Sequence, residues 1–353
     1  MERKSRLRGA LDLLSGAYPA FVWGGPVGRQ LPVFHVHDVT AAYLEPYLAY
    51  LAENRYRTVT SEAVVRWVRD GVFPGDRVVV LCFDDAWTSL WTVAEPLLRQ
   101  YGLRAITFAI PGRTEEAAGV RSAADDGAAP PFCTWPELQA LHAGGVVDVQ
   151  SHTYAHAKIF ADDGVAGFIS PGYASHLHDR PCIQAGAAPR FLDASALGAP
   201  LYQVRSRMSD ALRYDDPGAR DRAGSAVQRA GGAAFFQRAN WETELRQAVG
   251  APTGRYETEV ERERAILEDL TMAREVLNRR LRTSTVKHLC FPWAVAGRVA
   301  VQCARRAGYE SAWSDRLGGR HAVRQGDNPF RLMRLKHQYI YHLPGKGRRW
   351  MGR

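Results

Sequence analysis

The sequence predicts an α/β fold built on a parallel β-sheet, and three observations support this prediction. Apolar runs of strand length alternate with helix-length segments between residues 31 and 110, as a parallel sheet with crossover helices requires. The same alternation returns after residue 286. Polar side chains that could carry chemistry follow the ends of predicted strands, which is where parallel α/β folds place their sites.

Each predicted element of the first half has its own pattern. Residues 78–83 (VVVLCF) form an unbroken apolar run of strand length, which predicts a buried strand. A helix begins near Thr134, because Glu137 three residues later completes a capping box, and two glycines mark its end. The predicted strands here are 32–39, 78–83, 104–110 and 146–150, and the predicted helices are 44–53, 61–68, 87–101 and 134–144.

The second half begins with a change of composition. Between about residues 157 and 256, Gly, Ala, Arg and Asp are frequent and long apolar runs are few. We interpret this stretch as an insertion that covers or extends a functional site. A long charged helix with one approximately apolar face is predicted over 257–281. The last predicted elements are strand 286–291, helix 299–307 and strand 309–314.

Bulk composition narrows the class of protein. The 353 residues are 46% apolar, which is ordinary for a globular core and argues against general disorder. The formal net charge of +9 suits an anionic partner, but the arginines are spread along the whole chain, so nucleic-acid binding is not expected. The five cysteines have no CxxC spacing, which disfavours both a disulfide scaffold and a thiolate zinc site.

The N-terminal segment carries basic residues but no long apolar stretch. Residues 10–27 are interrupted by Asp12 and Pro19, so neither a signal peptide nor a membrane span is predicted. We therefore expect a cytoplasmic protein. A peripheral contact of this amphipathic segment with a membrane surface stays open as an alternative to packing on the domain.

Two groups of polar residues together predict a metal site. Asp84 and Asp85 follow the buried strand 78–83, where adjacent carboxylates are costly unless they are used. His152 and His156 follow the next strand but one and are spaced i and i+4, so one helical turn would place them on the same face. Two imidazoles and a carboxylate suit Zn²⁺, and the second carboxylate could act as a base near bound water.

Other histidines give weaker signals. His35 and His37 lie two apart on a predicted strand and therefore share one face. We interpret His37 as a residue that supports the site or contacts substrate, with a core role equally open. Residues 176–179 (HLHD) are a rival metal cluster, although a solvated loop is the simpler interpretation.

Three motifs resemble those of the polysaccharide deacetylase (NodB homology, carbohydrate esterase family 4-like) family. They are residues 82–85 (CFDD), 151–156 (SHTYAH) and 291–293 (FPW), in the family's order. Residues 36–39 (VHDV) also resemble the start of the branch that deacetylates poly-N-acetylglucosamine. The resemblance divides the chain into an N-terminal extension (1–30), a NodB-like domain (31–156 and 286–340), an insertion (157–285) and a basic tail (341–353).

The resemblance implies a distorted (β/α)7 barrel and metal-dependent N-deacetylation. By carry-over, Asp85, His152 and His156 hold the metal, most simply Zn²⁺, and Asp84 is the general base. The backbone N–H of Trp293, which follows Pro292, would stabilise the oxyanion. The general acid is implied to be a late histidine, and the candidates are His337 and His342.

The chain departs from the family pattern at three places. Ala86 replaces the glycine that follows the Asp pair, which is harmless if the backbone there does not need positive φ. Cys290 stands where many members have an arginine that orients the base, which leaves the partner of Asp84 unidentified. The long insertion makes substrate class transfer poorly.

The predicted function is a hydrolase of carbon–nitrogen bonds that removes an N-acetyl or other acyl group from a sugar, glycan or glycan precursor. Two alternatives stay open. One is a catalytically silent carbohydrate-binding protein on the same fold, favoured by the missing arginine. The other is a hydrolase of a non-sugar amide.

Overall fold

The structure is a computed structural model that describes residues 16–122, 130–173, 177–184, 189–251, 253–314 and 319–349. The chain divides into two compact units. The barrel unit comprises Met1–Tyr154, Thr271–Ala296 and Ala304–Arg353, and the insertion unit comprises Ala155–Leu270 and Gly297–Cys303. Parts of the predicted N-terminal extension (1–15) and basic tail (350–353) lie outside the described residues, as does His176 of the rival metal cluster.

In the part of the chain that the structure describes, the barrel unit has eight strands and most of the predicted helices. The strands are β1 (Val33–Val36), β2 (Arg57–Thr58), β3 (Val78–Asp85), β4 (Ala105–Ala109), β5 (Val147–Ser151), β12 (His288–Cys290), β13 (Ser311–Trp313) and β14 (Leu335–Lys336). The helices within it are α1 (Ala41–Glu53), α2 (Ser61–Asp70), α3 (Glu95–Gln100) and α4 (Trp135–Gly144), and a π-helical turn (Leu90–Ala94) precedes α3. The predicted capping box of α4 is confirmed, since Thr134 N–H donates to Glu137 Oε2 at 2.8 Å.

The insertion unit is built from short strand pairs and helices. Its strands are β6 (Lys158–Phe168), β7 (Cys182–Gln184), β8 (Arg190–Phe191), β9 (Pro200–Ser206), β10 (Arg213–Asp215) and β11 (Gly254–Tyr256), which pair as β6-β9, β7-β8 and β10-β11. Its helices are α5 (Pro217–Arg229) and α6 (Trp241–Val249). Helix α7 (Glu259–Leu281) and helix α8 (Arg298–Arg306) have residues in both units. Within the insertion unit, a buried ion pair joins Arg207, just after β9, to Glu257, just after β11.

The strands of the barrel unit form one parallel sheet. Its order is β13-β12-β5-β4-β3-β1-β14, and β2 pairs with β3. Leu332, just before β14, makes a parallel bridge to Trp313 of β13. Since β14 itself pairs with β1, the sheet curls so that its two ends approach each other through the segment 332–336. This curled seven-strand path confirms the predicted distorted barrel.

Side chains alternate between the two faces of this sheet. Val80 and Cys82 of β3 pack inside the curl with Phe108 and Trp313, whereas Leu81 and Phe83 pack outward with helix α1. This alternation follows from the period of two along a strand. Asp84 therefore continues the inward series at the carboxyl end of β3.

Within the described residues, no helix is both long enough and apolar enough to cross a membrane.

Candidate metal and catalytic centre

The carboxyl ends of neighbouring strands meet at one edge of the sheet. Asp84 and Asp85 end β3, His152 directly follows β5, and Cys290 ends β12. Because β3, β4, β5 and β12 are consecutive parallel strands, their ends bring these residues together. Asp84, Asp85 and His152 are each at most 4% exposed.

Asp85 leaves the alternation of β3 because its backbone has φ of 70°. Its side chain lies beside His152, with 3.4 Å between Asp85 Oδ1 and His152 Nε2. The other carboxylate oxygen, Oδ2, accepts a hydrogen bond of 3.0 Å from the Trp87 indole N–H. The orientation of Asp85 is thus held by a side chain two residues away.

His152 is held in one tautomer by the backbone of β12. Its Nδ1 lies 2.6 Å from the Cys290 carbonyl oxygen, which can only accept, so Nδ1 carries the proton and Nε2 presents a lone pair. Burial lowers the pKa of His152, although the Asp84 and Asp85 charges oppose this shift. A neutral imidazole with Nε2 aimed at a carboxylate is the form that binds a metal ion.

Asp84 forms a buried, bidentate ion pair with Arg334. The Nη1–Oδ1 and Nη2–Oδ2 distances are 2.6 and 2.8 Å. Burial by itself would raise the pKa of Asp84, but the charge and hydrogen bonds of Arg334 outweigh it and hold the pKa well below its usual range. Asp84 is therefore ionised and fixed in orientation.

Arg334 is the partner of Asp84 that sequence reasoning missed. The family pattern placed an arginine at position 290, where this chain has Cys290, but the guanidinium comes from just before β14, 250 residues along the chain from Asp84. Arg334 can reach Asp84 because of the register of β14. Lys336 pairs with His35 of β1, and position 334 lies on the same face of the sheet as position 336. An arginine inside the mostly apolar run 332–335 was the available signal.

His37 lies at the mouth of the same site. Its Nε2 is 3.6 Å from Asp84 Oδ2, and 53% of its side chain is exposed. The neighbouring His35 ring meets His37 edge-on at 5.7 Å between centroids. Burial, assisted by the Arg334 charge, lowers the pKa of His35 to about 3. His35 is therefore neutral, and His37 is the solvent-accessible histidine of this pair.

The late histidines have other partners. His337 hydrogen-bonds to Tyr43 of α1 and also packs against Tyr47, on the outer face of the sheet. His342 Nδ1 lies 2.8 Å from the Val22 carbonyl oxygen. None of these contacts involves Asp84, Asp85 or His152, so the structure places His37, rather than either late histidine, beside the carboxylates.

The remaining predicted site residues lie on two further segments. Pro292 is buried in a short 3-10 turn (Pro292–Ala294), and Trp293 has φ of 54°. His156 is buried in the insertion unit, with its ring 4.4 Å from that of His178. The helical turn that was predicted to place His152 and His156 on one face is not formed, because residues 152–157 contain no helix and Thr153 and His156 have φ of 66° and 48°.

Positive backbone φ is concentrated in the three motifs. Such conformations cost of order 1–3 kcal/mol for residues with a Cβ and cluster at functional sites. Nine described residues other than glycine have positive φ. Four of them lie in the motifs (Asp85, Thr153, His156 and Trp293), and two more, Ala86 and Ala294, directly follow a motif. Ala86 was expected to be a harmless replacement for glycine if the backbone there did not need positive φ. Its φ is 55°, so this expectation is not met.

Replacing Ala86 by glycine should relieve this strain. The left-handed conformation costs an alanine about 1–2 kcal/mol, while loss of its buried methyl group costs about 0.8 kcal/mol. We expect Ala86→Gly to raise the free energy of unfolding by up to about 1 kcal/mol, measured by urea denaturation. Ala105→Gly, at a buried extended position of β4, should lower it by about 1 kcal/mol. Equal losses in both variants would contradict the assignment of strain to Ala86.

Comparison with known proteins bears on these motifs. Residues 72–166, which contain the Asp84–Asp85 pair and both histidines of the second motif, match the family model for polysaccharide deacetylase. This stretch of the chain is therefore similar to the polysaccharide deacetylases. A curated relative, YxkH of Bacillus subtilis (strain 168), whose name assigns it to the polysaccharide deacetylases, is 26% identical over 89 residues. The match covers 23% of this chain and 32% of YxkH, so the chain spans about a third of that relative's length.

Solved structures extend the similarity beyond the matched deacetylase segment. The BpsB deacetylase domain from Bordetella bronchiseptica has a TM-score of 0.56 at 16% identity, and the comparison covers 88% of this chain and 97% of that one. IcaB from Ammonifex degensii has a TM-score of 0.51 at 16% identity, with coverage of 89% and 95%. At this identity the likeness shows the fold alone, in agreement with the distorted barrel described above.

Proposed function

We propose that the protein is a metal-dependent hydrolase that removes an acetyl group from the nitrogen of a sugar, in a glycan or a glycan precursor. One observation carries the metal dependence. The lone pair of His152 Nε2 and the Asp85 Oδ1 atom face each other at 3.4 Å. Two buried acceptors at this distance repel unless a cation lies with them.

The donor set suits a divalent metal ion. Asp85, His152 and His156 would hold it, since one carboxylate and two imidazoles are ligands that Zn²⁺ accepts, and His156 lies four residues after His152 in the same motif. When bound, such an ion supplies Lewis acidity at the amide carbonyl and lowers the pKa of water to about 7. The Cys290 carbonyl and the Trp87 indole keep two of these ligands oriented.

Asp84 is proposed as the general base. Its ion pair with Arg334 keeps it ionised, and it stands next to a proposed metal ligand, so it can take a proton from the attacking water. A low pKa makes Asp84 a weak base. A weak base is sufficient when the pKa of the attacking water is itself lowered. Arg334 fixes both oxygens and so also sets the direction in which the proton is accepted.

His37 is proposed as the group that protonates the leaving nitrogen. Among the described histidines that sequence reasoning offered for this role or for substrate contact, His37 has an observed contact with Asp84. Its ring is exposed and can therefore reach a substrate. The backbone N–H of Trp293, in the turn after β12, is proposed to donate to the oxyanion.

An N-acetylated sugar is the proposed substrate because the matched family and YxkH are named for polysaccharide deacetylation. The net charge of +9 favours an anionic glycan or a precursor that carries phosphate. A silent carbohydrate-binding protein is less well supported, since the arginine that seemed to be missing is supplied by Arg334. Hydrolysis of a non-sugar amide stays as the second candidate.

Metal analysis combined with an acetate assay tests this proposal. We expect the full chain to purify with about one Zn²⁺ or similar ion per molecule and to release acetate from N-acetylated chito-oligosaccharides. A chelator should abolish this release, and added metal should restore it. The Asp85→Ala/His152→Ala variant should contain less than about a tenth of the metal, because two of three ligands are lost.

A matched double variant controls for nonspecific damage. Asp70→Ala/His142→Ala removes the same residue types from two helices, at positions outside the site, and should keep full metal content and activity. Stoichiometric metal in the Asp85→Ala/His152→Ala variant would refute the ligand assignment. Release of acetate only from non-sugar amides would select the second candidate.

A further inference from the structure

The segment that carries His37 is tied to the strand of the Asp pair through one hydroxyl group. Ser89 lies four residues after Asp85, at the start of the π-helical turn. Its Oγ accepts a 3.1 Å hydrogen bond from the Val39 N–H and donates a 2.6 Å hydrogen bond to Asp38 Oδ1. Two consecutive residues that follow His37 are therefore bound to the same oxygen atom.

The Ser89 hydroxyl group lies in a buried environment that restricts its movement. Ser89 is 3% exposed and Val39 is 5% exposed. The Val39 side chain packs in the same apolar cluster as Leu90, the residue after Ser89. A hydroxyl both accepts and donates, so a single serine satisfies a buried backbone N–H and a carboxylate that would otherwise move in solvent.

The loop that carries His37 is short, and its contacts with neighbouring segments restrict the position of this histidine. Strand β1 ends at Val36 and helix α1 begins at Ala41, so His37 lies in a four-residue connection. Backbone pairing with β3 fixes the residue before His37, at Val36. Directly after His37, the hydrogen bonds of Asp38 and Val39 to Ser89 join the loop to the segment that follows β3. These bonds restrict how far the exposed His37 side chain can move from Asp84.

We propose that Ser89 is a positioning residue that clamps the His37 loop onto the strand of the Asp pair, so that His37 stays beside Asp84 for proton transfer. This inference rests on the proposed function. It assigns a role in the site to a residue that lies outside the three motifs. Ser89 would act on His37 through its bonds to Asp38 and Val39.

Hydrogen exchange tests the clamp without any substrate. We expect the Val39 amide to exchange at least about tenfold faster in Ser89→Ala than in the wild-type chain, since its buried acceptor is lost. Asp38→Asn should stay close to wild type, because the amide oxygen of asparagine can accept from Ser89. Thr92→Val, which removes a nearby buried hydroxyl bound to the Thr88 carbonyl, should leave Val39 protected. Unchanged exchange in Ser89→Ala would overturn the proposal.

Kinetics test the purpose of the clamp. Ser89→Ala should lower kcat by about 10- to 100-fold, since displacement by about 1 Å has such effects, and should leave KM and metal content within about twofold. Asp38→Asn should retain kcat within about threefold. In the His37→Ala background, Ser89→Ala should cause no further loss, because the clamp acts through His37.

The two tests separate this inference from the proposed function. If the wild-type chain deacetylates no sugar, the proposed function fails, while exchange of the Val39 amide still decides whether the clamp exists. If the wild-type chain is active and Ser89→Ala lowers kcat equally with and without His37, Ser89 has a general structural role and the positioning proposal fails.

Discussion

Replacing Arg334 by leucine is expected to lower the free energy of unfolding by about 3–5 kcal/mol at neutral pH, which is the usual cost of removing one partner of a buried ion pair. Asp84 and Arg334 are 3% and 8% exposed and share two short hydrogen bonds. Without the guanidinium, Asp84 must either keep a buried unpaired charge or bind a proton. Urea denaturation at pH 7 measures the loss.

The pH dependence of this loss has a definite sign. In the wild-type chain the folded pKa of Asp84 lies below its ordinary value, so its contribution to stability is complete above about pH 4 and is lost as the pH falls through the folded pKa. In Arg334→Leu, burial dominates and raises the folded pKa of Asp84. The variant therefore becomes more stable as the pH falls from 7 toward about 4.5, and the gap to wild type narrows.

Two further substitutions control this experiment. Lys336→Ala changes an exposed cation two residues further along and should alter stability by less than about 0.5 kcal/mol. Arg334→Lys keeps the charge but loses the bidentate geometry, so it should fall between wild type and Arg334→Leu. A loss in Arg334→Leu that is below 1 kcal/mol, or that does not change with pH, would show that the ion pair does not hold Asp84.

Replacing Asp84 by asparagine is expected to lower kcat for acetate release by about 10²–10⁴-fold, the usual contribution of a general base. Asparagine keeps the shape of the side chain but cannot accept the proton of the attacking water. Metal content should be unchanged, because Asp85 and the histidines are the proposed ligands. The acetate assay and metal analysis of the same preparations measure both quantities.

This variant also separates an enzyme from a silent binder. A binding protein should be indifferent to Asp84→Asn in its affinity for glycan and should show no turnover before the change. An enzyme should retain glycan affinity within a few-fold and lose turnover. Asp70→Asn, at the exposed end of helix α2, is the matched control and should behave as wild type. Full turnover in Asp84→Asn would exclude Asp84 as the base.

The strands and the Asp pair could be predicted because their signals are local. The apolar run 78–83 became β3 and the capping box at Thr134 began α4. Bounds were less accurate where a polar residue continued a strand: β3 runs on through Asp85, since its backbone still pairs with β4. The predicted helix 87–101 is divided by the π-helical turn that follows Ser89, which no periodicity indicated.

The histidine beside Asp84 was harder to predict. The family resemblance directed attention to His337 and His342, whereas the order of the strands places His37 beside Asp84. Strand β1 lies between β3 and β14, so His37, one residue beyond β1, meets the end of β3. His337 follows β14 on the opposite face and meets Tyr43 instead.

The sequence by itself determined the class of fold, the Asp84–Asp85 pair and the HTYAH motif, because these depend on neighbours within a few residues and on periods of two or about 3.6. Only the tertiary structure decided that Arg334 holds Asp84, that His37 lies beside Asp84, and that Ser89 joins the loop of His37 to the segment that follows β3. These contacts join residues separated by between about 50 and 250 positions. Such pairs are set by strand order and by curling of the sheet, which no local pattern encodes.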